Sequence, residues 1–202
     1  MILKSILQVM TMSEDYEIKM DGEQHQYESG AVRYTKDKGD FNLIPVDVVN
    51  TLLEWIGNQQ YPCVIPEHEM KCTCDYAIKS MFNHDYESAI INIIIMKYID
   101  VFDYDEEQKA YSISHDAMTK AFAKMLLDLA IHYQKGARKY GVDNWKKGCE
   151  NGTGIPEESF FDSGVRHTLQ FLSGATDEPH HISAIWNFFG AIYLRDEMWN
   201  HK

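Results

Sequence analysis

A long run of helical periodicity dominates the second half of the chain. From Ser114 onward, apolar residues recur every three or four positions. They are Met118, Phe122, Met125, Leu126, Leu129, Tyr133 and Ala137. This spacing places them on one face of an α-helix, and that face must pack against other elements. The pattern predicts a mainly α fold, in which Gly136 and Gly141 mark the C-terminal end of this helix.

Three further helices are predicted from their start and stop signals. The segment Val46–Ile56 follows Pro45 with helical spacing, and Glu157–Leu172 follows a proline and stops at a serine and a glycine. The last helix, about Glu178–Asn200, begins with two acids and a proline, which helix N-termini favour. Before these helices, Gly30–Pro45 is predicted to be an ordered loop, and Met1–Val9 a short helix or strand.

Residues 59–114 differ in composition from the rest of the chain. They hold three of the four cysteines and a β-branched run, IINIIIMKYIDVF. The sequence YIDVFDYDEEQKAYSIS predicts a strand, an acidic turn and a strand, whereas Ala77–Tyr98 is compatible with strand or helix. We therefore predict an N-terminal arm, loop and first core helix (1–58), an inserted subdomain with a small β-hairpin (59–114) and a helical catalytic core (115–202).

Charge and apolar content exclude several classes of function. The chain carries 19 basic and 31 acidic residues, a formal charge of -12, which disfavours binding to nucleic acid. A small phosphorylated ligand stays compatible, because a divalent metal can reverse the local field. No apolar run reaches the roughly 18–20 residues that span a bilayer. The cysteines fit no disulfide framework and the N-terminus lacks a cleavage pattern, so we expect a cytoplasmic protein.

Uncommon polar residues concentrate between Tyr133 and Asn187. On the predicted helix after Pro156, Asp162 and Arg166 are four positions apart and His167 is adjacent. A solvated ion pair would explain the first two. An arginine beside a histidine also suits a phosphate, since a guanidinium binds phosphate oxygens with two parallel hydrogen bonds.

The last helix carries a stripe of small and polar residues. Its members are His180, Ser183, Ala184, Asn187 and Ala191. The stripe is compatible with a close helix contact or with a surface that faces a ligand or metal. A buried Asn187 needs hydrogen-bond partners in either case, because an unsatisfied amide costs about 1–3 kcal/mol.

Two residues near the end of the long helix have similar alternatives. Trp145 can stack on a nucleobase or cover the core, and Lys139 can bind a phosphate or stabilise the helix C-terminus. Two weaker patterns are also present. Cys63, His68, Cys72, Cys74 and His84 contain potential zinc ligands without the usual spacing, and "HD" dipeptides occur at His84 and His115.

Four blocks together resemble one family. GAVR…KGDFNLIP, GARKYGVDNWKKG, DSGVRH and DEPHHISAIWN occur in the order found in the phage-encoded dATP/dGTP diphosphohydrolases, which are related to the MazG-type all-α nucleoside triphosphate pyrophosphohydrolases. The blocks cover about Gly30–Ile56 and Ala121–Arg195. The resemblance implies a MazG-like helical bundle that hydrolyses a purine (deoxy)nucleoside triphosphate to monophosphate and pyrophosphate with Mg²⁺, or with Mn²⁺, in the cytoplasm of a phage host.

The resemblance also implies roles for individual residues. The catalytic residues would be Asp162, Arg166, His167 and His180. The substrate would be bound by Lys139, Asn144, Trp145 and Asn187, and the metal by Asp162, Asp177 and Glu178. The carboxylates are hard oxygen ligands that suit Mg²⁺, and Arg166 and Lys139 would stabilise charge on the phosphates.

The chain departs from the family pattern in two places. Asp40, Phe41 and Asn42 replace an Arg-Phe-Asp-like triplet before the LIP motif. The helix before Gly136 lacks the E-x-x-E pair that holds metal in MazG-type enzymes. Two alternatives therefore stay open: a nucleotide-binding protein without turnover, and an HD-type nucleotide phosphohydrolase.

The resemblance and the aromatic content of the last helix predict an assembly. MazG-like proteins pair helices across subunits, and Trp186, Phe188, Phe189, Tyr193 and Trp199 exceed what one short helix buries in a small bundle. We expect a homodimer or homotetramer with its sites near the interface.

Overall fold

The computed structural model describes residues 23–26, 28–29, 32–35, 39–149 and 152–200. The side chains of residues 23–25, 32–35, 71 and 196–200 lie outside this description. The predictions for Met1–Val9 and for the side chain of Trp199 also fall outside it. No helix in the described ranges is both long enough and apolar enough to cross a membrane.

Residues 1–38 and 39–202 form two separate units. The first contains a hairpin of strands β1 (Glu23–Gln26) and β2 (Val32–Thr35). The strands are antiparallel, with Glu23 opposite Thr35. The sequence predicted a loop from Gly30, so strand β2 was missed.

The second unit is mainly helical. Its described helices are α1 (Val46–Gly57), α2 (Met70–Phe82), α3 (Tyr86–Lys97), α4 (His115–Tyr140), α5 (Glu157–Leu172) and α6 (His180–Asn200). A small antiparallel sheet has the strand order β3 (Cys63–Pro66), β5 (Ala110–Ile113) and β4 (Asp103–Asp105). The predicted fold class, mainly α with a small hairpin, is confirmed.

Helix α3 lies in a segment for which the sequence was compatible with either strand or helix. The β-branched run lies mostly in this helix, and the hairpin begins only at Asp103. Its isoleucines at positions 90, 91, 93 and 94 are all buried, so the helix is apolar on several faces and sits inside the core. Burial on every side outweighs the β preference of isoleucine. Although residues 59–114 were predicted to be a subdomain, α3 packs on α4 and α6.

The long helix α4 begins and ends where its sequence signals predict. The Ser114 hydroxyl accepts a hydrogen bond from the Ala117 amide, which satisfies one free N–H group of the first turn. Gly141 ends the helix with a φ of 94°, a conformation that glycine adopts without strain. This helix forms one wall of the candidate site.

The aromatic residues of α6 lie mostly inside the chain. Phe188 and Phe189 are fully buried in the core, and Trp186 and Tyr193 are partly buried. The prediction that a single chain cannot bury these aromatic side chains is therefore wrong for Phe188 and Phe189. The homodimer or homotetramer stays a prediction, which light scattering at micromolar concentration would test.

Candidate functional site

A polar cleft of about 650 Å³ opens beside α4, α5 and the start of α6. We define it by its charged and imidazole side chains, which are Lys97, Asp128, His132, Lys135, Lys139, Arg166, His167, Glu178 and His181. Four of these residues are cations and two are carboxylates, so the lining carries a formal charge of 4 − 2 = +2 with neutral histidines. The whole chain carries -12, so the cleft concentrates positive charge where an anionic ligand can bind.

An aromatic pocket of about 330 Å³ adjoins this cleft. We define it by six apolar or aromatic side chains, which are Leu43, Tyr133, Tyr140, Trp145, Ile155 and Trp186. Its lining shares His132, Gly136, Tyr140 and Trp186 with the polar cleft. A ligand with a flat apolar part and an anionic part fits such a pair of cavities.

Tyr133 gives the aromatic pocket a free polar group. Its hydroxyl is buried and has no hydrogen-bond partner among the described residues. Burial raises the pKa of this hydroxyl well above its usual value, and the nearby Asp143 carboxylate, which also lines the pocket, raises it further. The group therefore stays protonated and can donate a hydrogen bond to a ligand. A buried hydroxyl without a hydrogen-bond partner lowers the stability of the fold by about 1–3 kcal/mol.

Two histidines of the polar cleft are neutral at physiological pH. Burial lowers the pKa of His132 to about 4, with Glu178 opposing and His167 and Lys135 reinforcing this shift. Burial and the neighbouring Lys97 lower the pKa of His181 to about 4 as well. Both imidazoles can therefore accept a hydrogen bond from a ligand without adding charge to the cleft.

A cluster of three side chains joins the end of α5 to the start of α6. The Nδ1 atoms of His167 and His180 are 3.1 Å apart. One Glu178 carboxylate oxygen, Oε1, lies 3.1 Å from the first nitrogen and 3.3 Å from the second. We call His167, Glu178 and His180 the histidine–glutamate cluster. It is the one group of three or more potential metal ligands found among the described residues.

The outer nitrogens of both imidazoles have partners. His180 Nε2 lies 2.8 Å from Asp177 Oδ1, and because a carboxylate only accepts, the imidazole donates here. His167 Nε2 lies 3.1 Å from an Arg166 Nη2, and because a guanidinium only donates, the imidazole accepts. Burial and Arg166 together lower the pKa of His167, which favours its neutral form, and the contact with Arg166 sets its tautomer.

Most of the residues predicted for the site line one of the two cavities. Lys139, Arg166, His167, Glu178 and Asn187 line the polar cleft. Asn144 and Trp145 line the aromatic pocket. His180 is almost fully buried behind His167, and Asp177 contacts its far side. The structure therefore gathers residues that are up to about fifty positions apart in the sequence.

Asp162 is the exception among the predicted site residues. It is exposed on α5 and lines a shallow surface hollow with Leu169 and Ser173 instead of the polar cleft. The predicted metal ligands Asp162, Asp177 and Glu178 do not come together as a group in the described part of the chain. Arg166, one helical turn further along the same face, lines both this hollow and the polar cleft, whereas Asp162 lines only the hollow.

Two predicted ligand contacts have structural partners of their own. Trp145 is 7% exposed and packs edge-on against Phe160, Trp186 and Tyr193, so its ring belongs to the core as well as to the pocket wall. The Asn187 side chain donates to the Ser183 carbonyl at 2.8 Å. Trp145 thus covers the core, and Asn187 has a hydrogen-bond partner within its own helix, so neither residue needs a ligand to explain its position. Both residues still border the cavities.

The weaker metal patterns find no support among the described residues. None of the candidate zinc ligands between Cys63 and His84 joins a group of three potential ligands. Asp85 instead caps α3 by accepting a hydrogen bond from the Ser88 amide. His115 and Asp116, at the start of α4, also remain outside any such group.

Sequence reasoning missed several residues of the site. Asp128, His132 and Lys135 line the polar cleft from the same helix as Lys139. Their spacing of three and four positions marks a polar stripe opposite the apolar face of α4, and this signal was present in the sequence. Tyr133 was placed in the core by its spacing, and only the fold leaves its hydroxyl without a partner.

The part of the chain that contains α4, α5 and α6 matches a known family model. Residues 105–201 match the family model described as dATP/dGTP diphosphohydrolase, N-terminal. This part of the chain is similar to that family, in agreement with the resemblance found in the sequence. The match contains α4, α5 and α6, whereas the first resembling block, Gly30–Ile56, lies outside it. This match indicates diphosphohydrolase activity in general terms. Neither a curated protein nor a solved structure matches the chain.

Proposed function

We propose that the protein hydrolyses a purine deoxynucleoside triphosphate to the monophosphate and pyrophosphate. The observation that carries this proposal is the junction of the aromatic pocket with the cationic polar cleft. A nucleoside triphosphate has the matching shape, with a flat base at one end and a chain of phosphates at the other. In the reaction, a water oxygen attacks the α-phosphorus and the bond from that phosphorus to the α–β bridging oxygen breaks, which releases pyrophosphate.

The cations of the cleft support binding of the phosphates. Lys97, Lys135, Lys139 and Arg166 approach one cavity from three helices. Preorganised positive charge stabilises the negative charge that builds up on the phosphate oxygens in the transition state. Arg166 is the one guanidinium in this set, and its planar fork suits two phosphate oxygens at once.

The aromatic pocket supports binding of the base. Its walls supply rings and aliphatic side chains, and the Tyr133 hydroxyl supplies one donor that has no partner in the described part of the chain. A purine carries ring-nitrogen acceptors and, in guanine, a carbonyl oxygen. A hydrogen bond from Tyr133 to such an acceptor would offset the cost of the buried hydroxyl.

The predicted Mg²⁺ site does not fit the residues that the fold brings together. Mg²⁺ prefers an octahedron of oxygen ligands, but Asp162 lies away from Asp177 and Glu178, and the cluster that does form contains two imidazoles. We still propose that hydrolysis depends on Mg²⁺ or Mn²⁺, and activity assays with and without these ions would measure this dependence. No step of the reaction is assigned to these three carboxylates.

Product analysis tests the proposed reaction. The full chain is incubated with each dNTP and NTP separately, in Mg²⁺ or Mn²⁺, and the products are separated by ion-exchange chromatography. We expect monophosphate and pyrophosphate, with a preference for dATP or dGTP. Release of whole triphosphate or of single phosphates would contradict the proposal and favour HD-type chemistry.

Two variants connect this activity to the cavities. Lys139→Met removes a cation from the polar cleft, and we expect kcat/KM to fall by about tenfold or more, as for a lost charged hydrogen bond. Lys124→Met is the matched control, because Lys124 pairs with Asp100 away from the cleft. Gly136→Leu should fill the junction, because a Cβ atom there meets no atom within 4 Å, and it should raise KM.

A second candidate function is nucleotide binding without turnover. The histidine–glutamate cluster contains a single carboxylate, in contrast to the paired acids of MazG-type enzymes. If purine nucleotides raise the melting temperature but no product forms in Mg²⁺ or Mn²⁺, this candidate replaces hydrolysis.

A further inference from the structure

The three ligand atoms of the histidine–glutamate cluster form a nearly equilateral triangle. Its sides are 3.1 Å between the two Nδ1 atoms, 3.1 Å from His167 Nδ1 to Glu178 Oε1 and 3.3 Å from His180 Nδ1 to the same oxygen. Ligands about 2.0–2.2 Å from a zinc-sized ion are separated by about 3.0–3.5 Å in octahedral or tetrahedral geometry. The triangle therefore has the size of one face of a metal coordination shell.

The surroundings of His180 match those of a metal-binding histidine. Its side chain is 1% exposed, and its Nε2 donates to Asp177 at 2.8 Å. With that proton on Nε2, the Nδ1 lone pair is directed at the cluster, where it faces His167 Nδ1. A carboxylate that holds the outer N–H of an imidazole is the usual partner of a metal-binding histidine, because it sets the tautomer and raises the basicity of the ligand nitrogen.

The cluster is also accessible from the polar cleft. His167 and Glu178 both line the cleft, and the Glu178 side chain is 45% exposed. An ion that enters from the cleft can meet these two ligands first and the buried His180 behind them. The remaining coordination positions would then face the cleft, as in metal sites that keep open positions for water or a substrate.

We infer that His167, His180 and Glu178 bind one divalent transition-metal ion, such as Zn²⁺, Co²⁺ or Mn²⁺, with Asp177 as the partner that orients His180. Two nitrogens and one oxygen form a borderline donor set. Imidazole suits first-row transition metals, whereas Mg²⁺ prefers oxygen alone. The site differs in two of its three ligands from the carboxylate set predicted from the sequence.

Binding at this site has a consequence for Arg166. Without metal, Arg166 donates to His167 Nε2, so the proton of neutral His167 resides on Nδ1, the nitrogen that faces the cluster. A metal needs that Nδ1 lone pair, and the proton then resides on Nε2, where it opposes the guanidinium. Metal binding therefore releases Arg166 from His167, so that its fork is available to an anion in the cleft.

Metal titration without nucleotide tests this inference separately from the proposed hydrolysis. The full chain is stripped with EDTA and titrated by calorimetry with Zn²⁺, Mn²⁺ or Mg²⁺, and with Co²⁺ while its visible absorption is recorded. We expect one Zn²⁺ or Co²⁺ per chain, ligand-field absorption from Co²⁺, and an affinity for Mg²⁺ at least about 100-fold weaker.

Four variants locate the ion. Glu178→Gln and His167→Gln should each lower Zn²⁺ affinity by about 100-fold or more, and Asp177→Asn should lower it about 10–100-fold through the orientation of His180. His68→Gln is the matched control, since its side chain is 82% exposed and lies outside the cluster. Circular dichroism is used to check that each variant is folded. Glu178→Gln changes an exposed side chain, so this variant should fold even if replacing a buried histidine prevents folding.

Three results would overturn the inference. One is the absence of saturable Zn²⁺, Co²⁺ or Mn²⁺ binding to the folded chain. Another is wild-type affinity in the folded Glu178→Gln and His167→Gln variants. The third is tighter binding of Mg²⁺ that is lost in Asp162→Asn, which would return the site to the carboxylates. Metal binding by a chain without nucleotide turnover would contradict only the proposed function.

Discussion

The ring of Phe188 occupies the space that a Cβ atom on Gly164 would need. An added Cβ would lie 2.5 Å from the nearest ring carbon, and Gly190 has the same relation to the ring of Phe160. Each helix of the α5–α6 pair therefore inserts an aromatic ring against a glycine of the other. This reciprocal packing brings the two helix backbones close together beside the candidate site.

We predict that Gly164→Ala destabilises the fold, because the methyl group must displace a fully buried ring. The expected loss is about 1–3 kcal/mol in the free energy of unfolding, measured by urea denaturation. Gly57→Ala is the control, since a Cβ atom at this helical position meets nothing within 4 Å. It should be neutral or stabilise by about 0.4–1 kcal/mol. Equal stability of the two variants would show that the ring moves aside without cost.

We predict that Tyr133→Phe separates stability from substrate binding. Because the hydroxyl has no hydrogen-bond partner among the described residues, its removal relieves a cost of about 1–3 kcal/mol, and the protein without ligand should melt at a higher temperature. If the hydroxyl bonds to the base, KM should rise in the same variant. Tyr104→Phe is the control, because that hydroxyl bonds to Glu67 outside both cavities. A Tyr133→Phe variant that loses stability would mean that the hydroxyl has a partner.

We predict that Arg166→Lys weakens nucleotide binding although the charge is kept. The ammonium group cannot form two parallel bonds to a phosphate. The loss of one charge-assisted hydrogen bond corresponds to about a tenfold or greater rise in Kd or KM. Lys124→Arg exchanges the same two cations outside the cleft and should leave both constants unchanged. Wild-type affinity in Arg166→Lys would remove this residue from the phosphate site.

We predict that acid destabilises the fold partly through His132. Its pKa is about 4 in the folded chain, compared with 6.5 for an unperturbed histidine side chain. Between these values the unfolded chain binds a proton that the folded chain does not, so stability falls as pH falls. His132→Gln should therefore lose less stability than the wild type between about pH 7 and pH 4, as measured by chemical denaturation. His68→Gln, with its exposed side chain, should follow the wild-type curve.

Local patterns were sufficient for the helices of the C-terminal half. Helix α5 has the predicted bounds, and α4 begins after Ser114, as expected from its cap and its apolar spacing. The last helix begins at His180, two residues later than predicted. Periodicity and capping depend on neighbours within one or two turns, so they can be read from the chain alone. The same reasoning left Ala77–Tyr98 open between strand and helix, because burial of α3 on all sides removes the periodic signal.

The sequence by itself determined that this protein is mainly helical and which region carries the site. It also marked Arg166, His167, Glu178 and His180 as unusual. Only the tertiary structure decided that the last three meet and that Asp162 does not. The reason is the close packing of α5 on α6 at Gly164 and Gly190, which brings His167 to His180 across the turn between the helices. A helix pattern specifies which residues share a face, whereas the distance between two faces depends on the side chains that fill or leave the space between them.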